Sequence, residues 1–287
     1  MTDEATVTEG GDASPPDDAG PDAPRRRRRL GLVLTSLAAV AAAVVAIGVV
    51  RQPPADPEGL VILYGDSLSF EAHRAFADEL AATTRSEVIN RIIPGTSPCD
   101  HRAGMEADRS ERPDVVVIQF VGNNASPCSR GPGGERLVGQ ALADRFEADV
   151  RAEVDMWAAA GARVVLVGGP DSPGLPGMAG LQIADAYNRI VNEWAGRDLG
   201  RVRYADAAAT VTGPDHLFAR RLPCAPDEEA GAGCEDGEVT VRSPDNLHFC
   251  PYEWDGDAGT CGVASPGAAR FGREMARVAA LALDPAY

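Results

Sequence analysis

Residues 114–121 read DVVVIQFV. The run is apolar almost throughout and rich in β-branched side chains, so a strand built from it offers an apolar surface on both faces. Such strands belong to parallel sheets, whose crossover helices cover both sides. Shorter runs of the same kind stand at Leu60–Tyr64, Glu87–Ile92 and Arg163–Val167, with a weaker one at Val202–Ala205. Between them the spacing turns helical. Val138, Leu142, Phe146, Val150, Val154 and Trp157 share one stripe, with Asp144, Glu147, Arg151 and Asp155 on other faces, and Gly161 ends it. Ile183, Tyr187, Ile190 and Trp194 form a second stripe. A final helix is predicted to start with Ser265 as its cap and Pro266 at its first position, burying Phe271, Met275 and Val278. Strand–helix alternation of this kind predicts one doubly wound, flavodoxin-like three-layer α/β domain over 60–287, with a mainly parallel five-stranded sheet. Ligands of such sheets bind beyond the carboxyl ends of the strands.

The N-terminal part has a different character. Residues 1–24 are acidic, free of basic groups and rich in Gly, Pro and Ala, a composition that does not fold alone. Together with RRRRR at 25–29 they make a tail that ends in an arginine cluster. An uncharged run, LGLVLTSLAAVAAAVVAIGVV, fills 30–50 and has the length of a membrane-spanning helix. Arginines on its N-terminal flank hold that end in the cytoplasm. We therefore expect a retained single-pass signal-anchor, a linker over 51–59 and an extracytoplasmic domain at the cell membrane. A cleaved signal peptide is the competing account; its apolar region is usually shorter and ends in a small-residue cleavage site. VRQPPADPEG, which follows the run, offers no clear site of that kind.

Composition excludes several chemistries. The 287 residues carry 43 Asp and Glu against 27 basic residues, a formal net charge of −16. Long-range attraction to nucleic acid is thereby excluded. Every basic residue is Arg and none is Lys, so a phosphate-loop Lys, a Ser-Lys dyad and a Schiff-base Lys are impossible. Six cysteines, at 99, 128, 224, 234, 250 and 261, all follow the apolar run. An even count outside the cytoplasm predicts disulfides. None is spaced as C-x-x-C, and no His-x-His or His-Glu-x-x-His occurs, so neither a metal nor another cofactor is expected. The acidic stretch DEEAGAGCEDGE at 227–238 lacks EF-hand order and reads as a solvated surface; GPGGERL at 131–137 reads as a flexible connection.

The loops after the strands carry the chemistry. The first strand runs into Gly65-Asp66-Ser67-Leu68, the second into IIPGTSPCD with Gly95, and the third into Gly122-Asn123-Asn124. Just before the last helix stands SPDNLHFC, which contains Asp245-x-x-His248. Each motif alone is short enough to arise by chance. Four in this order, at strand ends and ahead of the last helix, resemble the SGNH (GDSL) hydrolase family over about residues 60–282. The resemblance implies a serine esterase with Ser67 as nucleophile and Asp245 and His248 as acid and base. Its oxyanion hole would comprise Ser67, Gly95 and Asn124. The family's final Asp in the third motif is Ala125 here, which leaves the choice between Asn123 and Asn124 open.

Those residue types suit acyl chemistry. A serine hydroxyl needs a base to take its proton during attack, and an Asp-oriented imidazole can do so near neutral pH. Backbone N–H groups and an Asn amide receive the oxyanion. Competing readings are plainer. Ser69 is expected to cap the helix that follows rather than to react. His73, His101 and His216 are rival bases, for which surface or pocket-wall positions are expected. Cys99 lies four residues after Gly95 and Cys128 four after Asn124, so a Cys99–Cys128 bridge would staple two oxyanion loops. Cys224–Cys234 and Cys250–Cys261 would close local loops. The leading expectation is an esterase acting on a small-molecule or envelope-associated ester, such as an acylated glycan or lipid. An O-acyltransferase using the same site is the first alternative, and a non-catalytic envelope-binding protein is the second. Nothing in the sequence fixes the oligomeric state.

Overall fold

The computed structural model describes residues 59–173, 180–228, 233–250, 261, 265–284 and 286. The acidic tail, the arginine cluster, the apolar run at 30–50 and the linker up to residue 58 lie outside them. Among the described residues no helix is long and apolar enough to cross a membrane.

Five strands form the central sheet: β1 (Gly59–Gly65), β2 (Ser86–Ile92), β3 (Val115–Gln119), β4 (Arg163–Val167) and β5 (Val202–Ala205). Their spatial order is β2-β1-β3-β4-β5 and every neighbouring pair is parallel. This is the flavodoxin-like order, in which the chain reverses direction between β1 and β3 and opens a crevice there. In register, Val61 lies beside Val115 and Val115 beside Arg163, so the carboxyl ends of β1, β3 and β4 align.

Helices cover both faces. Helix α1 (Ser67–Thr83) and the C-terminal α5 (Pro266–Leu283) lie on one side. There Val61, Leu63, Val115, Val117, Val165 and Val167 pack with Leu68, Phe76, Phe271 and Met275. Helices α2 (Pro98–Asp108), α3 (Gly139–Ala159) and α4 (Gly180–Ala195) lie on the other. There Ile62, Tyr64, Val116, Ile118 and Leu166 meet Met105, Phe146, Trp157 and Tyr187. Alternate residues of each strand thus enter opposite cores, which is why DVVVIQFV needs apolar groups at successive positions. Each fully buried Val, Leu, Ile or Phe stabilises the fold by roughly 1.5–3 kcal/mol.

The predicted strands are all present, with β1 and β2 one residue longer at their starts and β3 ending at Gln119. Ser265 does cap α5, its Oγ accepting the N–H of Ala268, with Pro266 at the first turn. Val138 departs from its predicted stripe. It sits just ahead of α3 in extended conformation and is 63% exposed, because the helix begins only at Gly139. Between β5 and α5 the long segment carries a small antiparallel pair, β6 (Arg221–Pro223) and β7 (Glu238–Thr240), before it returns over the sheet edge.

Candidate active site

The end of β1 is built around one buried carboxylate. Asp66 is fully buried and caps α1, accepting the N–H of Leu68 at 3.1 Å. Its other oxygen accepts the N–H of Val121 at 2.7 Å and the Asn123 amide at 3.3 Å. Burial pushes this carboxyl up to about 7, against the lowering pull of the Val121 and Leu68 N–H groups. Ser67 is the first residue of α1. The first N–H groups of a helix have no intrahelical acceptor, so its backbone N–H points out of the helix end. Gly65 is required by close approach, since a Cβ there would meet Ser69 Oγ at 2.2 Å and the Gln119 carbonyl oxygen at 2.9 Å.

Ser69 is not the cap that the sequence suggested. It is fully buried in the first turn of α1, and both its N–H (2.9 Å) and its Oγ (2.6 Å) donate to Gln119 Oε1 on β3. Asp66 holds the cap position instead, because its longer carboxylate reaches both α1 and the loop after β3.

The loop ahead of α5 folds back onto this point. His248 Nε2 lies 2.9 Å from Ser67 Oγ, and His248 Nδ1 lies 2.5 Å from Asp245 Oδ2. The second Asp245 oxygen accepts the N–H groups of Leu247 and His248, each at 2.9 Å, so the carboxylate shapes the turn as well as facing the ring. Burial works to raise the Asp245 pKa. The hydrogen bonds from the His248 ring and from the two backbone N–H groups outweigh it and hold the carboxyl below its usual range. An ionised carboxylate only accepts, so the Nδ1 proton faces Asp245 and the Nε2 lone pair faces Ser67. Asn246, between them, takes a left-handed φ of 66°. Its carbonyl is held at 2.7 Å by Arg242, a fully buried guanidinium whose pKa burial lowers to about 10.

Gly95 and the two asparagines occupy the loops after β2 and β3. Gly95 has a φ of +78°, a conformation costly for residues with a Cβ, and space is open around it. The two asparagines of the third motif point to different partners. Asn124 is buried and its amide donates to the Leu137 carbonyl at 3.2 Å, away from Asp66. Asn123 instead directs Nδ2 between the carboxylate of Asp66 and the carbonyl of Thr96, at 3.3 and 3.1 Å. Those two partners immediately flank Ser67 and Gly95 in sequence. β3 ends at Gln119, and the register of the loop beyond it selects which asparagine turns inward; the one-residue ambiguity left by Ala125 concealed this.

The same two loops are tied further. Ser97 Oγ donates to the Asn123 carbonyl at 2.7 Å, Ser129 Oγ to Ser97 Oγ at 2.9 Å and Ser126 Oγ to Asp100 Oδ1 at 2.6 Å. Cys99 and Cys128 are bridged across them, as predicted, and Cys224–Cys234 and Cys250–Cys261 are the other two disulfides.

The remaining histidines are engaged elsewhere. His73 Nδ1 contacts its own helix at the Phe70 carbonyl, 2.7 Å away. His101 is buried against Tyr64 and Phe120 with Nε2 at 2.8 Å from Thr96 Oγ1, and burial lowers its pKa. His216 faces Asp206 at 3.5 Å. Among the described residues no group of three or more His, Cys, Asp or Glu could hold a metal ion. Sequence reasoning passed over Asp66, Gln119, Glu71 and Arg242 as parts of the site. Of these, Asp66 alone left a signal, as the neighbour of Ser67 in the Gly-Asp-Ser string.

A family model, the GDSL-like lipase/acylhydrolase family, matches residues 62–248. Solved structures similar to the chain include TesA, at 20% identity with a TM-score of 0.37 over 54% of this chain and 83% of that one. An acetylxylan esterase, Axe2 from Geobacillus stearothermophilus, is similar at 18% identity with a TM-score of 0.39 over 53% and 77%. The acetyl xylan esterase AlAXEase is similar at 20% identity with a TM-score of 0.35 over 51% and 76%. Curated proteins yield no match.

Proposed function

The chain belongs to the GDSL-like lipase/acylhydrolase family and is an ester-hydrolysing enzyme, and on that premise we propose that Ser67, His248 and Asp245 are its catalytic triad. The contact of His248 Nε2 with Ser67 Oγ at 2.9 Å carries this reading; it is within the reach a general base needs. Ser67 Oγ attacks the ester carbonyl while its proton passes to His248 Nε2, and Asp245 stabilises the imidazolium at Nδ1. The tetrahedral intermediate collapses as the same proton passes to the leaving alkoxide, which departs as the alcohol. Water, deprotonated by His248, then releases the acid from the acyl-enzyme.

For the oxyanion we assign the N–H groups of Ser67 and Gly95 and the amide of Asn123, in place of Asn124. Asn123 stands beside the neighbours of both other donors, whereas Asn124 is committed to Leu137. Its contact with Asp66, at 3.3 Å, is the longer of its two hydrogen bonds, so that hydrogen is the one we assign to a substrate oxygen. The uncharged run at 30–50 after the arginine cluster supports a membrane-anchored enzyme facing out of the cytoplasm, on envelope-associated esters.

Turnover of a short-chain activated ester, with labelling by a serine-directed phosphonate, tests the triad. Ser67→Ala is expected to lose both and His248→Ala to lose turnover to a similar degree, because residues acting as a unit fail together. Parent-level hydrolysis by Ser67→Ala would falsify the assignment.

A further inference from the structure

Glu71 lies one helical turn after Ser67 on α1, with only 8% of its surface exposed. Its Oε2 accepts the N–H of Phe249 at 2.6 Å and the N–H of Cys250 at 3.3 Å. Those are the two residues directly after His248. The geometry points to Glu71 as a positioning residue for His248, tying the backbone just beyond the base to the helix that presents the nucleophile. This inference rests on the reading of His248 as the base for Ser67.

The other ties of the loop go elsewhere. Ser243 closes the turn on itself, its N–H donating to the His248 carbonyl at 2.7 Å and its Oγ to the Cys250 carbonyl at 2.5 Å. Arg242 holds Asn246 and reaches the Asp171 carbonyl and Ser172 Oγ at 3.1 and 3.0 Å, beyond β4. Ser265 Oγ donates to the Phe249 carbonyl at 3.0 Å, and the Phe249 ring packs on Phe271 of α5. These contacts shape the loop and dock it against β4 and α5. Glu71 ties the loop to α1 through the Phe249 and Cys250 N–H groups, beside the Ser67–His248 contact itself.

A buried carboxyl is costly unless its oxygens are hydrogen-bonded, and a hydrophobic residue at this helix position would pack without that cost. Burial does raise the Glu71 pKa, against the lowering effect of the Phe249 N–H and of His248. What the carboxyl supplies is geometry. The separation of Ser67 and Glu71 is fixed by one turn of α1, and the separation of His248 from Phe249 by one peptide. With both ends fixed, the ring stays within reach of Oγ before substrate arrives. Displacement of a reacting group by about 1 Å costs on the order of 100-fold in rate.

Three substitutions and one measurement independent of catalysis test this. Glu71→Gln keeps an oxygen for the Phe249 N–H, and kcat is expected to stay within about threefold of the parent. Glu71→Met keeps the volume and removes the acceptor, so kcat is expected to fall about 10- to 100-fold with KM within about twofold of the parent. Hydrogen exchange at the Phe249 and Cys250 amides is expected to accelerate in the Met variant and not in the Gln variant. Unchanged kcat and exchange in the Met variant would overturn the proposal, as would a Gln variant no better than Met. Should the Met variant fail to fold, Glu71→Asp decides instead. Its carboxylate is one methylene too short, so it is expected to be slower than Gln, and parent kcat in Asp would overturn the proposal. If Ser67→Ala and His248→Ala stay active, the functional reading is at fault, and the exchange rates still report whether Glu71 holds the loop.

Discussion

Asp66 Oδ2 accepts the N–H of Val121 at 2.7 Å, across 55 positions of sequence. The residue before Ser67 is thereby fastened to the start of the loop that carries Asn123. One carboxylate caps α1, joins the end of β1 to the loop after β3 and accepts the Asn123 amide. Its full burial is the cost of that arrangement, and a pH dependence of stability follows from it.

Unfolded Asp titrates near 3.9, whereas Asp66 in the fold is pushed up to about 7. Between those values the folded state holds the extra proton. The contribution to stability is therefore present in full below about pH 4 and is lost as pH rises toward 7. At about 1.4 kcal/mol per unit the loss amounts to a few kcal/mol. Glu71 and Glu153, also raised by burial, add slope of the same sign. Denaturant melts over this pH range should show stability falling with pH. Asp66→Asn should lower stability overall and flatten that slope; an equally steep slope in the variant would contradict the burial argument.

The two asparagines separate cleanly by experiment. Asn123→Ala is expected to lower kcat about 100- to 1000-fold, the usual loss for one oxyanion donor, with little change in melting temperature. Asn124→Ala removes the hydrogen bond to the half-buried Leu137 carbonyl and is expected to cost about 0.5–1.5 kcal/mol of stability with a smaller effect on kcat. Kinetics beside thermal melts of the two variants check this. The reverse pattern would restore Asn124 to the oxyanion hole.

What the sequence made legible follows from what repeats. DVVVIQFV and its neighbours specify strands because both faces must be apolar, and Ser265-Pro266 specifies a helix start because capping is local. Gly-Asp-Ser and Asp-x-x-His were also legible, because each is a contiguous string, and the fold brings Ser67, His248 and Asp245 together. The direction of the Asn123 amide, toward Asp66 and Thr96, was not, since a side chain's direction in an irregular loop depends on where β3 stops, which pattern alone leaves uncertain by a residue or two. Glu71 read as one more polar helix position. Its partners, Phe249 and Cys250, lie 178 and 179 positions away, and no spacing rule connects them.

Topology gives a third prediction, for the anchor inferred from residues 25–50. Protease added to intact cells should digest the domain after Arg51 and leave the acidic tail untouched. Epitope tags at each end, followed by blotting, read the outcome. A soluble product beginning near residue 50 would identify a cleaved signal peptide, and a protected domain would reverse the orientation.

The Cys99–Cys128 bridge gives the last. It spans 29 positions with Cα atoms 6.0 Å apart, and chain-entropy reasoning gives such a loop about 3–4 kcal/mol of stabilisation. It also joins the start of α2, just beyond Gly95, to the turn beyond Asn123, beside the Ser97 and Ser129 hydroxyls. Replacing both cysteines by serine should therefore do two things. Stability should fall, and kcat should fall about tenfold at temperatures where the variant is still folded. Cys224–Cys234, which closes the excursion between β6 and β7, is the control, since its removal should lower stability while leaving kcat close to the parent value. Non-reducing peptide mapping must first confirm both pairings in the purified protein. If the two double variants then lose stability and activity alike, the bridge between the oxyanion loops is only a structural staple.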